Sequence, residues 1–398
     1  MKISVRKTCS VCGSNNLEKV LDLGDQPLCD DLIKIGSKEK SNLYPLQIFL
    51  CTECYTAHQQ IEVSKEVLFP QTYHYRAANT PSVLSGMQEL VNELSTVLFT
   101  KKNNLTVVDI GCNDGSLLNL FKKYKFKTIG VDPTDAIKKA SKNHSTYQSY
   151  FDINTAENII NEHGKPDIIT FTNSFAHIEN LQGLLKGVEV LMSEETILVI
   201  ENHYLGTVLN TGQFDTFYHE HVRTYSAKSF EYIAKSLSAY IWKYSFPERY
   251  GGNIRVFISK KKPINICSTL DESCTSMKFE KLSVFISDWK KRKLMEIENY
   301  VKLTKSPMTG IAFPGRASIP INILKLDKEL LSATYEIKGS FKTGFYIPGT
   351  KIPILPEAEL FHKDEKPPTV LNLAWHIEAD VIQNLKSNSY TPKLLNII

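Results

Sequence analysis

The stretch VVDIGCNDGSLL, residues 107–118, decides the fold. Its first half is apolar and β-branched, reaches Asp109, and turns at Gly111. Its second half, from Ser116, has the spacing of a helix. A buried strand that passes through a glycine turn into a helix opens a doubly wound sheet. More apolar runs follow: KTIGVD (127–132), PDIITFTN (166–173) and TILVIEN (196–202). LQGLLKGVEVLM lies between the last two at helical spacing. Strands alternating with helices predict an α/β fold with a parallel sheet. The turn carries Gly111 and Gly115, so it lacks the GxGxxG spacing of a dinucleotide-binding turn.

In such sheets the ligand crevice lies beyond the carboxyl ends of the strands. Asp109 ends the first strand and can meet an ammonium or a water. Gly111 and Gly115 let the backbone approach a ligand closely. Asp132 ends the second strand, where a carboxylate suits the two hydroxyls of a ribose. Asn173 and His177 follow the strand at 166–173. An acid, a glycine turn and a second acid at this spacing resemble the S-adenosylmethionine site of class I methyltransferases. The resemblance implies Asp109, Gly111, Asn113, Gly115, Asp132 and Asn173 as cofactor residues. The alternative is a structural glycine turn with no ligand.

Upstream, Cys9/Cys12 and Cys51/Cys54 form two CxxC pairs. Two residues between thiolates let both reach one tetrahedral ion from a tight turn. Four thiolates make a closed structural zinc site rather than a catalytic one. A redox CxxC would normally occur once. Cys29, Cys112, Cys267 and Cys274 read as small buried or surface residues. Residues 1–70 are too few for a large core of their own and are expected to be a metal-stapled domain.

The 398 residues are 42% hydrophobic and 23% charged, ordinary for a globular chain. Lys and Arg number 47 against 43 Asp and Glu, a net charge of +4. That balance gives no footprint for nucleic acid or an anionic membrane. The opening MKISVRKTCSVCG lacks the apolar core of a signal peptide, and no run approaches the roughly 18 apolar residues of a membrane span. A cytoplasmic protein with neither nucleic-acid nor membrane partner is expected, as a monomer or homodimer. Pro81 should open a helix with Leu84, Met87, Leu90, Val91 and Leu94 on its apolar face. Residues 276–304 read as a long charged helix.

The densest chemical cluster is FDTFYHEHVRTYS, residues 214–226. On a strand, Tyr218 and Glu220 would face one way and His219 and His221 the other; on a helix or turn they would splay. The HExxH spacing of zinc proteases is absent. A histidine beside a carboxylate can serve as a base near neutral pH. His221 is the expected base, assisted by Glu220, which would orient the ring or stabilise its cation, with His177 as an alternative base or hydrogen-bond donor.

Taken in order, the CxxC pairs with LDLGDQPL (21–28), YHYR, DIGCNDGSLL, AHIENL, FDTFYHEH, GGNIRVF and KTGFYIPGTKIPI resemble the sugar C-methyltransferases of deoxysugar pathways. These methylate carbon 3 of a nucleotide-linked 4-keto sugar. The resemblance implies a zinc-binding domain (1–70), a central Rossmann-like class I methyltransferase domain (71–265) and a C-terminal Rossmann-like domain (266–398) that helps bind the sugar nucleotide. It implies Tyr75, His177, Tyr218, Glu220 and His221 as active-site residues. Similar proteins carry a small-residue turn followed by lysine and glycine near the first strand of the last domain; here FPGRASIP (313–320) places Arg316 there. Arg255, Arg316, Lys342 and Lys351 are the candidates for the nucleotide diphosphate, dTDP or another. The competing readings are an O- or N-methyltransferase on the same scaffold, a nucleic-acid methyltransferase and a non-catalytic binding module. An Asn/Asp-Pro-Pro-aromatic run, usual in amine methylation, is absent after the fourth strand.

Overall fold

The computed structural model describes residues 3–69, 76–98, 104–263 and 270–398. They form two compact units, each discontinuous in sequence. The first comprises Met1–Glu18, Phe49–Thr207 and Val222–Thr275; the second comprises Lys19–Ile48, Val208–His221 and Ser276–Ile398. Residues 1–70 and 71–265 therefore each contribute to both units.

The first unit is built on seven strands: β1 (Thr106–Ile110), β2 (Lys127–Val131), β3 (Ser145–Tyr147), β4 (Ile168–Thr172), β5 (Ile197–His203), β6 (Tyr240–Ser245) and β7 (Asn253–Ser259). Their order is β6-β7-β5-β4-β1-β2-β3. Neighbours among β1 to β5 run parallel, while β7 is antiparallel to β5 and β6. Both faces of β1 are buried, which is why its sequence is continuously apolar up to Asp109. Val107 packs with Val83, Leu90, Leu94 and Phe121, from the helices Pro81–Leu98 and Ser116–Lys123. Val108 packs on the opposite face with Leu184, Val188 and Phe230, from Leu181–Leu191 and Ala227–Ser236. The helix at Pro81 forms as expected, but Leu84 is exposed and Val83 takes its core place. The third strand, β3, is too short to carry a sequence pattern.

The second unit repeats the parallel plan with β8 (Met308–Ile311), β9 (Leu331–Glu336), β10 (Pro353–Pro356), β11 (Thr369–Asn372) and β12 (Lys393–Asn396). Their order is β12-β11-β8-β9-β10, extended at the β10 edge by the antiparallel strands Phe345–Tyr346 and Ile33–Lys34. The long helix Thr275–Thr304 buries Phe279, Trp289 and Ile297. Trp289 Nε1 donates to the carbonyl of Ile397 at 2.8 Å, which anchors this helix to the C-terminus. Among the described residues no helix is long and apolar enough to cross a membrane.

Candidate active site

The four paired cysteines converge. Their sulfurs all lie within 4.8 Å of one another, with Cys9–Cys54 and Cys12–Cys51 each at 3.5 Å. Sulfurs about 3.8 Å apart are what a tetrahedral ion with bonds of about 2.3 Å requires. Both pairs sit on matching turns: Gly13 N–H donates to the Cys9 carbonyl and Tyr55 N–H to that of Cys51, each at 2.9 Å. Gly13 and Tyr55 both have positive φ, at 77° and 54°. The amides of Val11 and Cys12 point at Cys9 Sγ, 3.4 and 3.5 Å away. These donors fit zinc-bound thiolates. His58, absent from the sequence reading, places Nε2 3.2 Å from Cys9 Sγ. Burial holds its ring neutral, so that an Nε2–H can donate to the sulfur. Cys29 and Cys112 are buried and Cys274 is exposed, while Cys267 lies outside the described residues.

At the end of β1, Asp109 accepts from Thr170 Oγ1 at 2.7 Å. Burial pushes its carboxyl up to about 7, opposed by that hydrogen bond. The chain then turns through Gly111, Asn113 and Gly115, with φ of 79°, 50° and 79°. A Cβ on Gly111 would stand 2.5 Å from Ser174 Cβ, and one on Gly115 2.8 Å from Ala140 Cβ. Glycine is therefore required at both positions for space as well as conformation. Asp132 accepts from the amides of Asn113 and Thr134, each at 2.9 Å, and from Thr134 Oγ1 at 2.6 Å. Burial still moves its carboxyl upward. Asn173 follows β4 with φ 53°, and its amide N–H donates to the Glu201 carbonyl at 2.7 Å.

Asp114, also missed in the sequence, organises this turn. It accepts from Ser116 Oγ at 2.6 Å, the Ser116 amide at 3.2 Å and the Ala78 amide at 3.1 Å. Asn113 Oδ1 accepts from the Ala77 amide at 3.2 Å. The glycine turn and the segment before the helix Pro81–Leu98 are thus tied together. His177 ends a short turn after β4 and meets Phe69 edge to face, with ring centres 5.1 Å apart. Tyr75 lies outside the described residues.

In the second unit, residues 218–221 form a turn, neither strand nor helix, closed by His221 N–H donating to the Tyr218 carbonyl at 2.8 Å. His221 Nδ1 faces the carbonyl oxygen of Thr216 at 2.9 Å. A carbonyl only accepts, so Nδ1 carries the proton and the neutral ring has its lone pair on Nε2. Nε2 lies 3.0 Å from Tyr218 Oη. Burial and the Glu220 charge keep the Tyr218 phenol protonated, so it donates to Nε2. The Thr216 carbonyl therefore orients Nδ1. His219 is buried against Tyr44, and burial lowers its pKa to about 4.

The four candidate phosphate cations meet different fates. Arg255 is corrected: its Nε and Nη2 each lie 2.8 Å from Glu201 Oε2, and Nη1 lies 2.6 Å from Glu93 Oε2. It neutralises two carboxylates inside the first unit and is not free to hold a diphosphate. Arg316 grips Asp215 with Nε at 2.8 Å and Nη2 at 2.6 Å, and Nη2 also donates to Thr216 Oγ1 at 2.8 Å. Trp375 Nε1 donates to the same Asp215 at 3.1 Å. Arg316 Nη1 is buried with no hydrogen-bond partner among the described residues. Lys342 Nζ donates to the Phe313 carbonyl at 3.2 Å and stands 3.8 Å from Asp30. Lys351 Nζ donates to the carbonyls of Ser37 and Glu39 at 3.0 and 2.9 Å.

Comparison with known proteins matches three consecutive stretches of the chain. A zinc binding domain family matches residues 9–69, a methyltransferase domain family 81–237, and a C-methyltransferase C-terminal domain family 248–391. The C-methyltransferase NovU of Streptomyces niveus is 26% identical over 400 residues, covering 95% of this chain and 92% of its own. Among solved structures, the plantazolicin methyltransferase BpumL with SAH is 14% identical with a TM-score of 0.36, covering 46% of this chain and 87% of its own. Magnesium protoporphyrin IX methyltransferase from Synechocystis PCC 6803, with bound SAH, is 14% identical with a TM-score of 0.34, covering 44% of this chain and 84% of its own. With those three matches laid end to end from residue 9 to residue 391, the chain is similar along nearly its whole length to S-adenosylmethionine-dependent C-methyltransferases that carry a zinc-binding domain at the N-terminal end.

Proposed function

We propose that the acceptor is a nucleotide-linked 4-keto-6-deoxy sugar and that the methyl group goes to its carbon 3. The sugar rests on the resemblance of the ordered sequence blocks. The chemistry rests on one observation: a histidine whose Nδ1 is fixed by a carbonyl, leaving Nε2 as the basic nitrogen beside a phenol. A proton on the carbon next to a ketone is weakly acidic, and its removal places charge on the ketone oxygen. His221 Nε2 takes that proton and becomes a cation, with Nδ1–H held by Thr216. Tyr218 gives up its hydrogen bond to Nε2 and donates to the developing enolate; Tyr75 is a second donor. One such donor contributes about 3 kcal/mol to the transition state. Glu220 stabilises the imidazolium electrostatically, and His177 bonds the ketone oxygen or serves as an alternative base. Bound S-adenosylmethionine supplies an electrophilic methyl group on a sulfonium. Asp109, Gly111, Asn113, Gly115, Asp132 and Asn173 hold it and fix its orientation. The unpartnered Nη1 of Arg316, with Lys342 and Lys351, supplies positive charge for the diphosphate.

The test is incubation with S-adenosylmethionine and a panel of nucleotide-linked 4-keto-6-deoxyhexoses in heavy water, read by mass spectrometry and carbon NMR. A methyl on a quaternary ring carbon supports the reading and identifies the sugar. A methyl on oxygen or nitrogen transfers the enzyme to the competing class. The variant H221A should lose about 10²- to 10⁴-fold in methyl transfer and lose deuterium exchange at carbon 3, while binding S-adenosylhomocysteine normally. Normal methylation by H221A would remove His221 as the base.

A further inference from the structure

The long helix Thr275–Thr304 in the second unit has one face already committed. Phe279, Leu282, Trp289 and Ile297 are buried there. Phe279 meets Phe217, with ring centres 5.9 Å apart, and Trp289 meets Phe214 at 4.7 Å. This face braces the segment that leads into the turn at 218–221.

The opposite face carries three apolar side chains on one line. Met277, Val284 and Met295 are 52%, 63% and 56% exposed. Charged residues fill the same line at alternating steps of four and three: Lys281, Asp288, Lys291, Glu298 and Lys302. All five are exposed. None of them makes an ion pair or a side-chain hydrogen bond among the described residues. Lys293, turned toward the buried side, does pair with Glu296 at 2.9 Å. At 3.6 residues per turn the whole line stays within an arc of about 100°. Steps of four and three are the period of a helix-on-helix seam.

Single exposed apolar residues need no explanation. The order of this line does, because it is complementary to itself read backwards. Consider a second copy laid antiparallel, with the two-fold axis between Trp289 and Lys290. Val284 then faces Met295, and Lys281 faces Glu298. Asp288 faces Lys291, and Met277 covers the methylenes of Lys302. Apolar meets apolar and each acid meets a base. Every pair occurs twice, as a two-fold interface demands. In heptad terms each pair joins an a position to a d position. A parallel copy in register would instead set Lys281 on Lys281 and Asp288 on Asp288. From Met277 to Lys302 the seam runs about 38 Å.

We propose that this face is the interface of a two-fold homodimer in which the helices Thr275–Thr304 of two copies pair antiparallel. Exposed ion pairs each contribute little, so the charges set register and direction more than strength. The dimer is therefore weak and reversible.

Sedimentation equilibrium on the full chain tests it. The wild-type protein should pass from monomer to dimer between about 1 and 300 μM. K281E sets a glutamate against Glu298 at both ends of the seam and should raise the dissociation constant about 10- to 100-fold. E298K should do the same. The double variant K281E/E298K restores both pairs with the signs exchanged, and should return the constant to within about threefold of wild type. Only an antiparallel pairing gives that recovery. The substituted side chains are exposed, so the thermal midpoint should not move. A wild type that stays monomeric up to about 300 μM overturns the proposal. So does a dimer indifferent to both single variants, which would place the interface elsewhere. If a single variant lowers the thermal midpoint, the double variant decides: recovery of the dimer supports the pairing, and no recovery overturns it.

Discussion

Around β1 the strand order β3-β2-β1-β4-β5 reverses between β1 and β4; around β8 the order β10-β9-β8-β11-β12 reverses between β8 and β11. Crevices at such reversals are where parallel sheets bind ligands. In the first sheet the crevice is unfinished: Asp109 and Asp132 are buried acids held above their ordinary range, and Asn173 Nδ2 lacks a partner among the described residues. In the second, the turn after β8 carries Arg316 and the turn after β11 carries Trp375, and both bond Asp215. The chain's own segment 213–216 is thus bonded by the turns on both sides of this reversal. Thr216, held by Arg316 through its hydroxyl, offers its carbonyl to His221. The reversal alone does not decide what fills the strand ends; in the second sheet the side chains there hold a segment of the chain itself.

Breaking the occupied crevice should have the largest effect. R316M leaves Asp215 buried without its main counter-charge, a change that costs about 3–5 kcal/mol when one partner of a buried pair is removed. A lowered thermal midpoint is expected, together with slower methyl transfer as Thr216 and His221 lose their fixed positions. The double variant R316M/D215N should recover part of the stability and little of the rate. If R316M melts and turns over like the wild type, the Arg316–Asp215 pair does not hold the loop and the contrast between the sheets disappears.

The same contrast explains what could be read from the sequence. The turn at 107–118 was legible because its signals are local: a buried strand, Gly111 and Gly115 at positive φ, and a helix start. The zinc ligands were legible because each CxxC folds on its own turn. Val83 takes the core place of Leu84 because 83, 87, 90 and 94 form the centre of the buried stripe and position 84 lies at its edge. The Asx-type bond that the Ser116 amide donates to Asp114 had a signal, an acid two residues before a helix, that went unused. Arg255 and Arg316 look alike as isolated cations. Their acids, Glu93, Glu201 and Asp215, lie far away in the chain, so only the fold distinguishes a neutralised arginine from one with a free arm.

A smaller loss should follow from altering the unfinished crevice at β2. D132N keeps the shape but removes the charge that faces the ribose in our placement. Hydrogen bonds to a charged group contribute about 1.5–3 kcal/mol, so S-adenosylhomocysteine should bind about 10- to 100-fold more weakly. The affinity for 5′-methylthioadenosine should fall by the same factor, because both ligands carry the ribose. A loss confined to S-adenosylhomocysteine would move Asp132 to the amino-acid end and invert the assignment of the two acids.

The smallest expected effect concerns the proton on Asp109. Burial holds its carboxyl near 7 in the ligand-free protein. An ammonium favours the ionised form, so below that value binding must first expel a proton. The affinity for S-adenosylhomocysteine should therefore rise with pH by up to about tenfold per unit below 7 and level off above it. The affinity for 5′-methylthioadenosine, which has no ammonium, should stay flat, and D109N should flatten the profile for both. Stability without ligand has the opposite sign. The folded carboxyl keeps a proton that the unfolded chain releases above about 4, so this group lowers ligand-free stability progressively between about 4 and 7 and by a constant amount above. Saturating S-adenosylhomocysteine, which keeps the carboxyl ionised in the complex, should flatten that slope. A flat binding profile from pH 5.5 to 8 would mean that Asp109 keeps its proton in the complex or never meets the ammonium, and the first crevice would then be completed by its turn and Asn173 rather than by its buried acid.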